Sequence, residues 1–349
     1  MQLYNRTWTR REIEARVGRL EQIGGIRRYH LSEGLEAGVE QLQVRTGAGL
    51  AYYVTPARAL DISLAEFGGA PISWQAANGD VHPAYYDKDG SEWLRTAAGG
   101  LLMTCGLTQV GAATVDNGQP LGLHGRIHHL PARQVVAEGR WNGDEYEMTI
   151  RGVVEESMIF GEHLRLTREI RSTLGSNRIT LTDVVENIAF TPAPCMVLYH
   201  FNFGFPLLME ETTFRFPSKR VVPREAETPV EGYNRWQAPE VGHFERVYFH
   251  EELETQKGWA VASIHNPHFP LGAGLGTRAL AVKLAWKTDT LPMLVQWRMP
   301  GTGAHVLGIE PTNCGVLGRD KAREQGTLPM LEPGEARTFR VALEVAVEG

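Results

Sequence analysis

The chain has 349 residues, of which 42% are hydrophobic and 22% are charged, and its formal net charge at pH 7 is −6. This length is sufficient for a large hydrophobic core, and these fractions are typical of a soluble globular protein. Because the chain is mildly acidic and has no Lys/Arg-rich run, it lacks the positive surface of a nucleic-acid-binding protein, and we expect no nucleic-acid partner.

The N-terminal segment predicts one amphipathic helix. Between Glu12 and Ile23 the apolar residues recur at helical spacing, and the pair Gly24-Gly25 ends the pattern. The first residues contain no apolar stretch of the kind that a secretory signal needs. We therefore expect a short N-terminal helical segment, residues 1–25, packed on the rest of the protein.

The remainder of the chain is typical of antiparallel strands joined by turns. Residues 39–54 are interrupted by Gly47-Ala48-Gly49, and residues 163–187 by Leu174-Gly175-Ser176-Asn177, so each segment is predicted to form a hairpin. Apolar residues occupy every second position from Phe339 to Val347, as in a half-buried strand. The 38 glycines and 19 prolines are spread along the chain, which fits many strand ends.

One charge-free stretch needs a separate interpretation. Residues 189–209 contain no Asp, Glu, Lys or Arg and would be long enough to cross a membrane as a helix. Three prolines, His200 and Asn202 favour a buried strand with its approach loop instead, so we expect no membrane partner. The sequence therefore predicts an all-β protein, residues 1–349 forming one domain, built as a large antiparallel two-layer sandwich.

Cysteine usage indicates the compartment. The three cysteines, Cys105, Cys195 and Cys314, are too few and too widely separated for a disulfide framework or a Cys-rich zinc site. We therefore expect a reducing compartment and a cytoplasmic location. The sequence leaves the oligomeric state open, and a homo-oligomer is compatible with it.

Three ionisable residues lie in apolar or glycine-rich strings: His124 in Leu-His-Gly-Arg, His200 in Leu-Tyr-His-Phe-Asn and Glu310 in Gly-Ile-Glu-Pro. Such residues are costly to bury unless they have partners or a task, so they are the candidate acid–base site. The alternatives are a turn histidine at 124, a satisfied core histidine at 200 and a salt-bridged carboxylate at 310. Pro311 predicts that the strand ends directly after Glu310, at a rim.

Strand alternation groups further residues around His200. Phe201, Phe203 and Phe205 are predicted to share a core face, which leaves His200 and Asn202 together on the other face. In an earlier segment, Arg58 and Asp61 stand three apart and are predicted to pair and pin a loop. For Arg126, an ordinary surface ion pair is the alternative to a ligand contact.

Four strings of the sequence resemble the DUF4432 family of aldose 1-epimerase-like proteins, which is similar to the galactose mutarotases. In chain order they are residues 58–62 (Arg-Ala-Leu-Asp-Ile), 69–74 (Gly-Ala-Pro-Ile-Ser-Trp), 99–107 (Gly-Gly-Leu-Leu-Met-Thr-Cys-Gly-Leu) and 122–126 (Gly-Leu-His-Gly-Arg). The resemblance covers nearly the whole chain. It implies a galactose mutarotase-like β-supersandwich, no cofactor, and a small-molecule sugar as the partner.

The resemblance also implies roles for single residues. His124 would bind the sugar, His200 would be the general acid, and Glu310 would be the general base. The arginine that grips the sugar corresponds to either Arg58 or Arg126. Further substrate-binding candidates are Asp61, Asn202 and the stacking platform Trp297, with Trp74 and Trp93 as alternative platforms or core residues.

One mutarotase position has no clear match. The family pattern has a sugar-binding aspartate between the second histidine and the base, whereas this interval offers Glu245, His250, Asn266 and His268. The residue that would orient the sugar is therefore left open by the sequence.

The sequence thus predicts an enzyme that interconverts the anomers of a free sugar or sugar derivative through Glu310 and His200. Two alternatives remain open: a non-catalytic carbohydrate-binding protein with the same pocket, and a different isomerase or lyase that uses the same pair. A metal site of two histidines and one carboxylate is a third alternative, because iron and zinc accept such ligands. The local spacing of helical zinc motifs is missing, so we expect no metal.

Overall fold

Two large antiparallel sheets dominate the computed structural model, which describes residues 1–348, with only the backbone described at residue 273. The eight-stranded sheet has, in spatial order, the strands Arg133–Asn142, Glu145–Ser157, His163–Thr173, Arg178–Asn187, Ala336–Val347, Thr277–Lys287, Trp259–Pro270 and Thr213–Arg215. The eleven-stranded sheet has the order Ser218–Pro223, Arg246–Leu253, Met293–Gly301, Ala304–Thr312, Met196–Phe203, Leu102–Leu107, Asp61–Phe67, Leu50–Thr55, Glu40–Arg45 and Gly25–His30, with Ala70–Pro71 paired to Asp61–Phe67.

Short elements complete the chain. Three two-stranded ribbons pair Gln2–Leu3 with Arg6–Thr7, Thr114–Asp116 with Gln119–Leu121, and Ala193–Pro194 with Met330–Leu331. The α-helices are Arg10–Glu14 and Arg319–Glu324. The 3₁₀ turns are Leu20–Gln22, Gly34–Glu36, Pro56–Arg58, Pro83–Tyr85, Glu92–Arg95, Ile127–His129 and Gly272–Gly274.

The main core lies between the two sheets. Apolar side chains that alternate along the strands of both sheets form one continuous buried cluster, which includes Ile62, Phe201 and Ile309 from one sheet and Leu181 and Leu343 from the other. This arrangement confirms the predicted all-β, two-layered antiparallel fold.

A buried ionic network also joins the two sheets. Arg168 in the eight-stranded sheet donates to Asp183 at 2.6 Å within its own sheet and to Asp61 at 2.6 Å across the interface. Tyr199 and Thr104, both in the eleven-stranded sheet, bond to Asp183 at 2.7 Å and to Arg168 at 2.8 Å. The charged groups are thus paired and hydrogen-bonded, which buried charges require.

Most of the predicted strands are confirmed. Glu40–Arg45 pairs with Leu50–Thr55, and His163–Thr173 pairs with Arg178–Asn187, each across the predicted turn. The last strand spans Ala336–Val347, and all eight residues of the charge-free strand Met196–Phe203 are buried. Within residues 1–348, no helix is long and apolar enough to cross a membrane.

The predicted N-terminal helix is shorter than its apolar pattern indicates. Helix Arg10–Glu14 begins at a capping box between Thr9 and Glu12, and only a 3₁₀ turn, Leu20–Gln22, follows. Gly18 lies between them, and glycine costs about 1 kcal/mol relative to alanine inside a helix. The apolar residues of this segment still pack together with Leu3 and Leu174. They do so from a short helix and a turn, where the pattern had indicated one continuous helix.

Two local predictions are wrong. Phe205 is 65% exposed, because strand Met196–Phe203 ends before it, while Phe201 and Phe203 are buried as expected. The strand that carries Glu310 does not end at Pro311 but continues to Thr312. Proline has no N–H group to donate, yet Pro311 still lies opposite Leu294 in the neighbouring strand.

Candidate functional site

His200 and Glu310 lie side by side on neighbouring strands. Strand Met196–Phe203 pairs with strand Ala304–Thr312 so that Phe201 lies opposite Ile309 and Leu198 opposite Thr312, and this register sets His200 opposite Glu310. His200 Nε2 is 3.2 Å from Glu310 Oε1. Directly opposed residues of an antiparallel pair have their Cβ atoms about 4.5–5.5 Å apart, so the register itself explains the contact.

Alternation directs both side chains away from the inter-sheet core. Tyr199 and Phe201 belong to the main core, so His200 between them points to the opposite face of the sheet. Ile309 is likewise a core residue, and Glu310 follows it on the other face. The two ionisable groups therefore lie on the outer face of the eleven-stranded sheet.

Gly308 leaves space beside the pair. It lies opposite both Asn202 and Trp297 in the two flanking strands. A Cβ atom at this position would be 2.5 Å from Glu310 Oε1, 3.0 Å from Trp297 Cβ and 3.2 Å from His200 Cε1. The position therefore has no room for a side chain while the carboxylate keeps its place.

The pair lies in a cavity of about 520 Å³. This volume is within the range of about 300–1,000 Å³ that is typical of small-molecule sites. Its lining comprises Trp74, Ala76, Asn78, Trp93, Leu94, Ala97, Met103, Gly111, Ala112, Leu123, His124, His200, Arg224, Glu245, Val247, Val295, Trp297, Glu310, Val316 and Leu317. We call His124, His200 and Glu310 the polar floor of this cavity.

All three tryptophans considered as stacking platforms line the cavity. The Trp297 ring lies 5.4 Å from the His200 ring and 6.3 Å from the Trp74 ring, both in edge-to-face arrangements. Trp93 lies 5.1 Å from the His124 ring and is almost completely buried. Trp297 remains partly exposed next to the pair, which is the position that a stacking platform needs.

His124 reaches the polar floor from a loop. Its backbone has φ = 57°, a left-handed conformation that is uncommon for a residue other than glycine. Hydrogen bonds from the His124 N–H to Gly111 O (2.8 Å) and from the Gly106 N–H to His124 O (3.0 Å) hold this conformation. Its ring is 5.9 Å from that of His200, edge to face, so the loop and the sheet bring the two histidines together.

The rim of the cavity carries a charged pair, Arg224 and Glu245, and no sequence pattern pointed to Arg224. Glu245 accepts a hydrogen bond from Arg224 at 2.7 Å and one from the Trp297 indole at 2.8 Å, and Arg224 also pairs with Glu225. Glu245 is one of the four residues in the interval where the binding aspartate was expected. His250, Asn266 and His268 are not among the residues that line the cavity.

Burial determines the protonation of the pair. Burial raises the pKa of Glu310 to about 8, and the negative charge of Glu245 acts in the same direction, whereas Arg224 opposes it. Burial, together with the nearby His124, lowers the pKa of His200 to about 3. The enclosed position of His124 lowers its own pKa to about 4. At pH 7 the ligand-free pair is therefore a neutral carboxylic acid beside a neutral imidazole.

Several predicted sugar contacts lie outside the cavity lining. Asp61 is buried in the inter-sheet network and accepts hydrogen bonds from Arg168, Thr104 and His128. Arg58, also buried, donates to the carbonyl of Val81. The prediction that Arg58 pairs with Asp61 is therefore wrong, because Arg168 and His128 pair with the aspartate instead. Neither Arg58 nor Asp61 lines the cavity.

Arg126 and Asn202 also lie outside the lining. Asn202 is fully buried and donates its side-chain amide to the carbonyl of His200 at 3.0 Å, so it contacts the histidine rather than open space. The Arg126 N–H bonds to Gly106 O at 3.0 Å, and its charge lies near Glu156 and Tyr86. Of the predicted site residues, the fold thus gathers His124, His200, Trp297 and Glu310 in one cavity.

The donor set does not favour a metal ion. Among residues 1–348, no group of three His, Cys, Asp or Glu side chains is arranged so that it could hold one. Cys105, Cys195 and Cys314 are buried and form no disulfide.

Comparison with known proteins finds one matching family and several solved structures with the same fold. The family described as "Domain of unknown function (DUF4432)" matches residues 36–345. The structure of a "putative aldose 1-epimerase" from Klebsiella pneumoniae is 26% identical, with a TM-score of 0.81, over 92% of this chain and 83% of that one. No curated protein matches the chain.

More distant structures share the fold. A galactose mutarotase-like protein from Clostridium acetobutylicum has a TM-score of 0.60 at 12% identity, over 94% of this chain and 100% of that one. Galactose 1-epimerase from Lactobacillus acidophilus has a TM-score of 0.58 at 11% identity, over 93% and 99%. The fold of this protein is therefore that of the galactose mutarotase-like sandwich.

Proposed function

This chain belongs to the DUF4432 family, and on that premise we propose that it is an aldose 1-epimerase-like enzyme that interconverts the anomers of a sugar or sugar derivative. The observation that carries the proposal is the contact of 3.2 Å between His200 Nε2 and Glu310 Oε1 on the polar floor of a cavity of about 520 Å³. The similarity to the Klebsiella protein supports it.

Anomer exchange needs two proton transfers at neighbouring atoms. The proton of the anomeric hydroxyl must leave while a proton reaches the ring oxygen, and the ring then opens, rotates and closes on the other face. Both oxygens are bonded to the same carbon, so two catalytic groups side by side can reach both. Glu310 would take the hydroxyl proton as the base, and His200 would protonate the ring oxygen as the acid.

The buried floor favours the product side of ring opening. The ligand-free pair is neutral, so a proton must first pass from Glu310 to His200; ring opening then starts from a carboxylate and an imidazolium and leaves both groups neutral. Burial raises the pKa of Glu310 and lowers that of His200, so it stabilises the neutral arrangement. The pair carries one proton before and after this step, because His200 gives a proton to the ring oxygen while Glu310 takes one from the anomeric hydroxyl. Closure of the ring reverses both transfers. Each positioned acid or base typically contributes about 10²–10⁴-fold to the rate.

The other lining groups would position the sugar. Trp297 would stack on one apolar face of the pyranose, held by the bond of its indole to Glu245. His124 would bond to a ring hydroxyl next to the pair, and Asn202 would hold the strand at His200. The reaction needs no cofactor, and we expect it to occur in the cytoplasm.

The test is anomer exchange followed by NMR over a panel of reducing sugars, with the uncatalysed rate as the reference. We expect exchange well above this rate for at least one sugar class. Binding with only the spontaneous rate would contradict the proposal and favour a carbohydrate-binding protein, and formation of a new product would favour a different isomerase or lyase.

A further inference from the structure

The floor of the cavity carries polar atoms that have no partner. Glu310 Oε1, His124 Nδ1 and His200 Nδ1 are buried and have no hydrogen-bond partner within the described residues, so the floor holds unsatisfied polar atoms. The floor is also where the anomeric carbon would lie. The acid and the base that the proposed reaction needs therefore both lie on the polar floor.

Three charged or amide side chains above the floor are already engaged. Arg224 is paired with Glu225 and Glu245, and Glu245 also accepts the Trp297 indole. Asn78 donates to the carbonyls of Leu94 and Ala97 at 2.7 and 2.9 Å. Apart from the Trp93 indole N–H, which is buried without a partner within the described residues, few side-chain groups are left to replace the water that the remote hydroxyls of a sugar would lose on binding.

The upper walls of the cavity are aliphatic. They are formed by Leu94, Leu123, Val316 and Leu317, which lie outside the two large sheets, whereas Val295 and Val247 lie on the sheet opposite Glu310 and Trp297. Two of them are exposed to solvent, Leu94 by 58% and Leu317 by 47%, although they face a concave site. Leu317 and Val316 also line an adjoining cavity of about 430 Å³, so the walls extend beyond the volume next to the catalytic pair.

A free hexose fits these walls poorly. Its ring faces are apolar and suit Trp297, but its edges carry hydroxyls, which lose hydrogen bonds when they lie against aliphatic side chains. An apolar substituent at the remote end would instead gain by covering these walls.

We infer that the substrate is amphipathic: a reducing sugar that carries an apolar substituent on the side remote from its anomeric carbon. The inference rests on the proposed function for the orientation of the sugar, with the anomeric carbon on the polar floor and the substituent between Leu94 and Leu317.

Binding tests the inference separately from catalysis. Methyl 4,6-O-benzylidene-glucopyranoside and methyl glucopyranoside have no free anomeric hydroxyl and differ only in the apolar acetal. Calorimetry should show at least tenfold tighter binding of the benzylidene compound to the wild-type protein. Equal affinities would overturn the inference, whatever the catalytic activity of the protein, and so would failure of both compounds to bind.

Substitution of the wall gives the matched control. Leu317→Ser should remove most of the preference for the benzylidene compound, whereas Leu35→Ser, at a leucine that is 51% exposed and outside the cavity lining, should retain it. A preference unchanged in Leu317→Ser would contradict the placement of the substituent.

Exchange kinetics then separate the two claims. For free 4,6-O-benzylidene-glucose we expect a KM at least tenfold below that of glucose with a similar kcat. If the benzylidene glycoside binds tightly but no reducing sugar is exchanged, the proposed function fails and the preference of the cavity stands. If glucose is exchanged with the same KM as its derivative, the proposed function stands and the inference fails.

Discussion

Replacement of Gly308 by alanine should inactivate the protein without unfolding it. The new Cβ would lie 2.5 Å from Glu310 Oε1, and ordinary van der Waals contact begins at 3.4 Å, so the carboxylate must move by about 0.9 Å. A misplacement of about 1 Å can cost about 10²-fold in rate. Gly308 is not among the residues with positive φ, so alanine meets no backbone penalty there.

The assay compares anomer exchange by NMR with thermal unfolding of the same preparations. Gly18→Ala is the matched control, because Gly18 also lacks a positive φ and its Cβ would meet no atom within 4 Å. We expect about a hundredfold loss of exchange in Gly308→Ala, a melting temperature close to that of the wild type, and normal exchange in Gly18→Ala. Normal exchange in Gly308→Ala would refute the claim that the reaction occurs at the observed position of Glu310.

Three further predictions concern the pair, its rim and the inter-sheet network. The rate should stay high between pH 6.5 and 7.5 and fall above about 8, where Glu310 loses the shared proton; a fall that begins at the ordinary histidine value of 6.5 would contradict the shifted pKa values. Glu245→Gln keeps an oxygen that accepts the Trp297 indole but removes a negative charge, so the pKa of Glu310 should fall and the alkaline limb of the rate profile should move to lower pH; an unmoved limb would exclude this coupling. Arg168→Met should lower the free energy of urea unfolding by about 3–5 kcal/mol, because it leaves two buried carboxylates uncompensated; the exposed Arg140→Met should change it by less than about 1 kcal/mol, and equal effects would show that the network contributes little.

Local sequence patterns predicted most of the sheets because strand alternation is a local property. Alternate apolar residues from Phe339 to Val345 are buried in the last strand, as the pattern indicates, whereas Val347 at its end is 51% exposed. The same alternation placed His200 on the face opposite Phe201. The short N-terminal helix was overestimated because the same apolar spacing also suits a turn that packs against Leu174.

Contacts between distant segments could not be predicted in the same way. Asp61 pairs with Arg168, 107 positions away, and no local pattern distinguishes this partner from the nearby Arg58. Glu245 reaches the rim because its segment precedes strand Arg246–Leu253, which lies next to the strand that carries Trp297. The roles of His124, His200 and Glu310 remain predictions, supported by their meeting in one cavity.

The most direct measurement of the central claim is the exchange rate of Glu310→Gln beside that of the wild type. Glutamine preserves the shape of the side chain but cannot take a proton from the anomeric hydroxyl. Glu156→Gln is the matched control, since Glu156 is equally buried, accepts the Leu107 N–H at 2.8 Å and lies outside the cavity lining. We expect Glu310→Gln to stay folded and to exchange anomers only at the spontaneous rate, while Glu156→Gln retains activity. Exchange at the wild-type rate in folded Glu310→Gln would contradict the account.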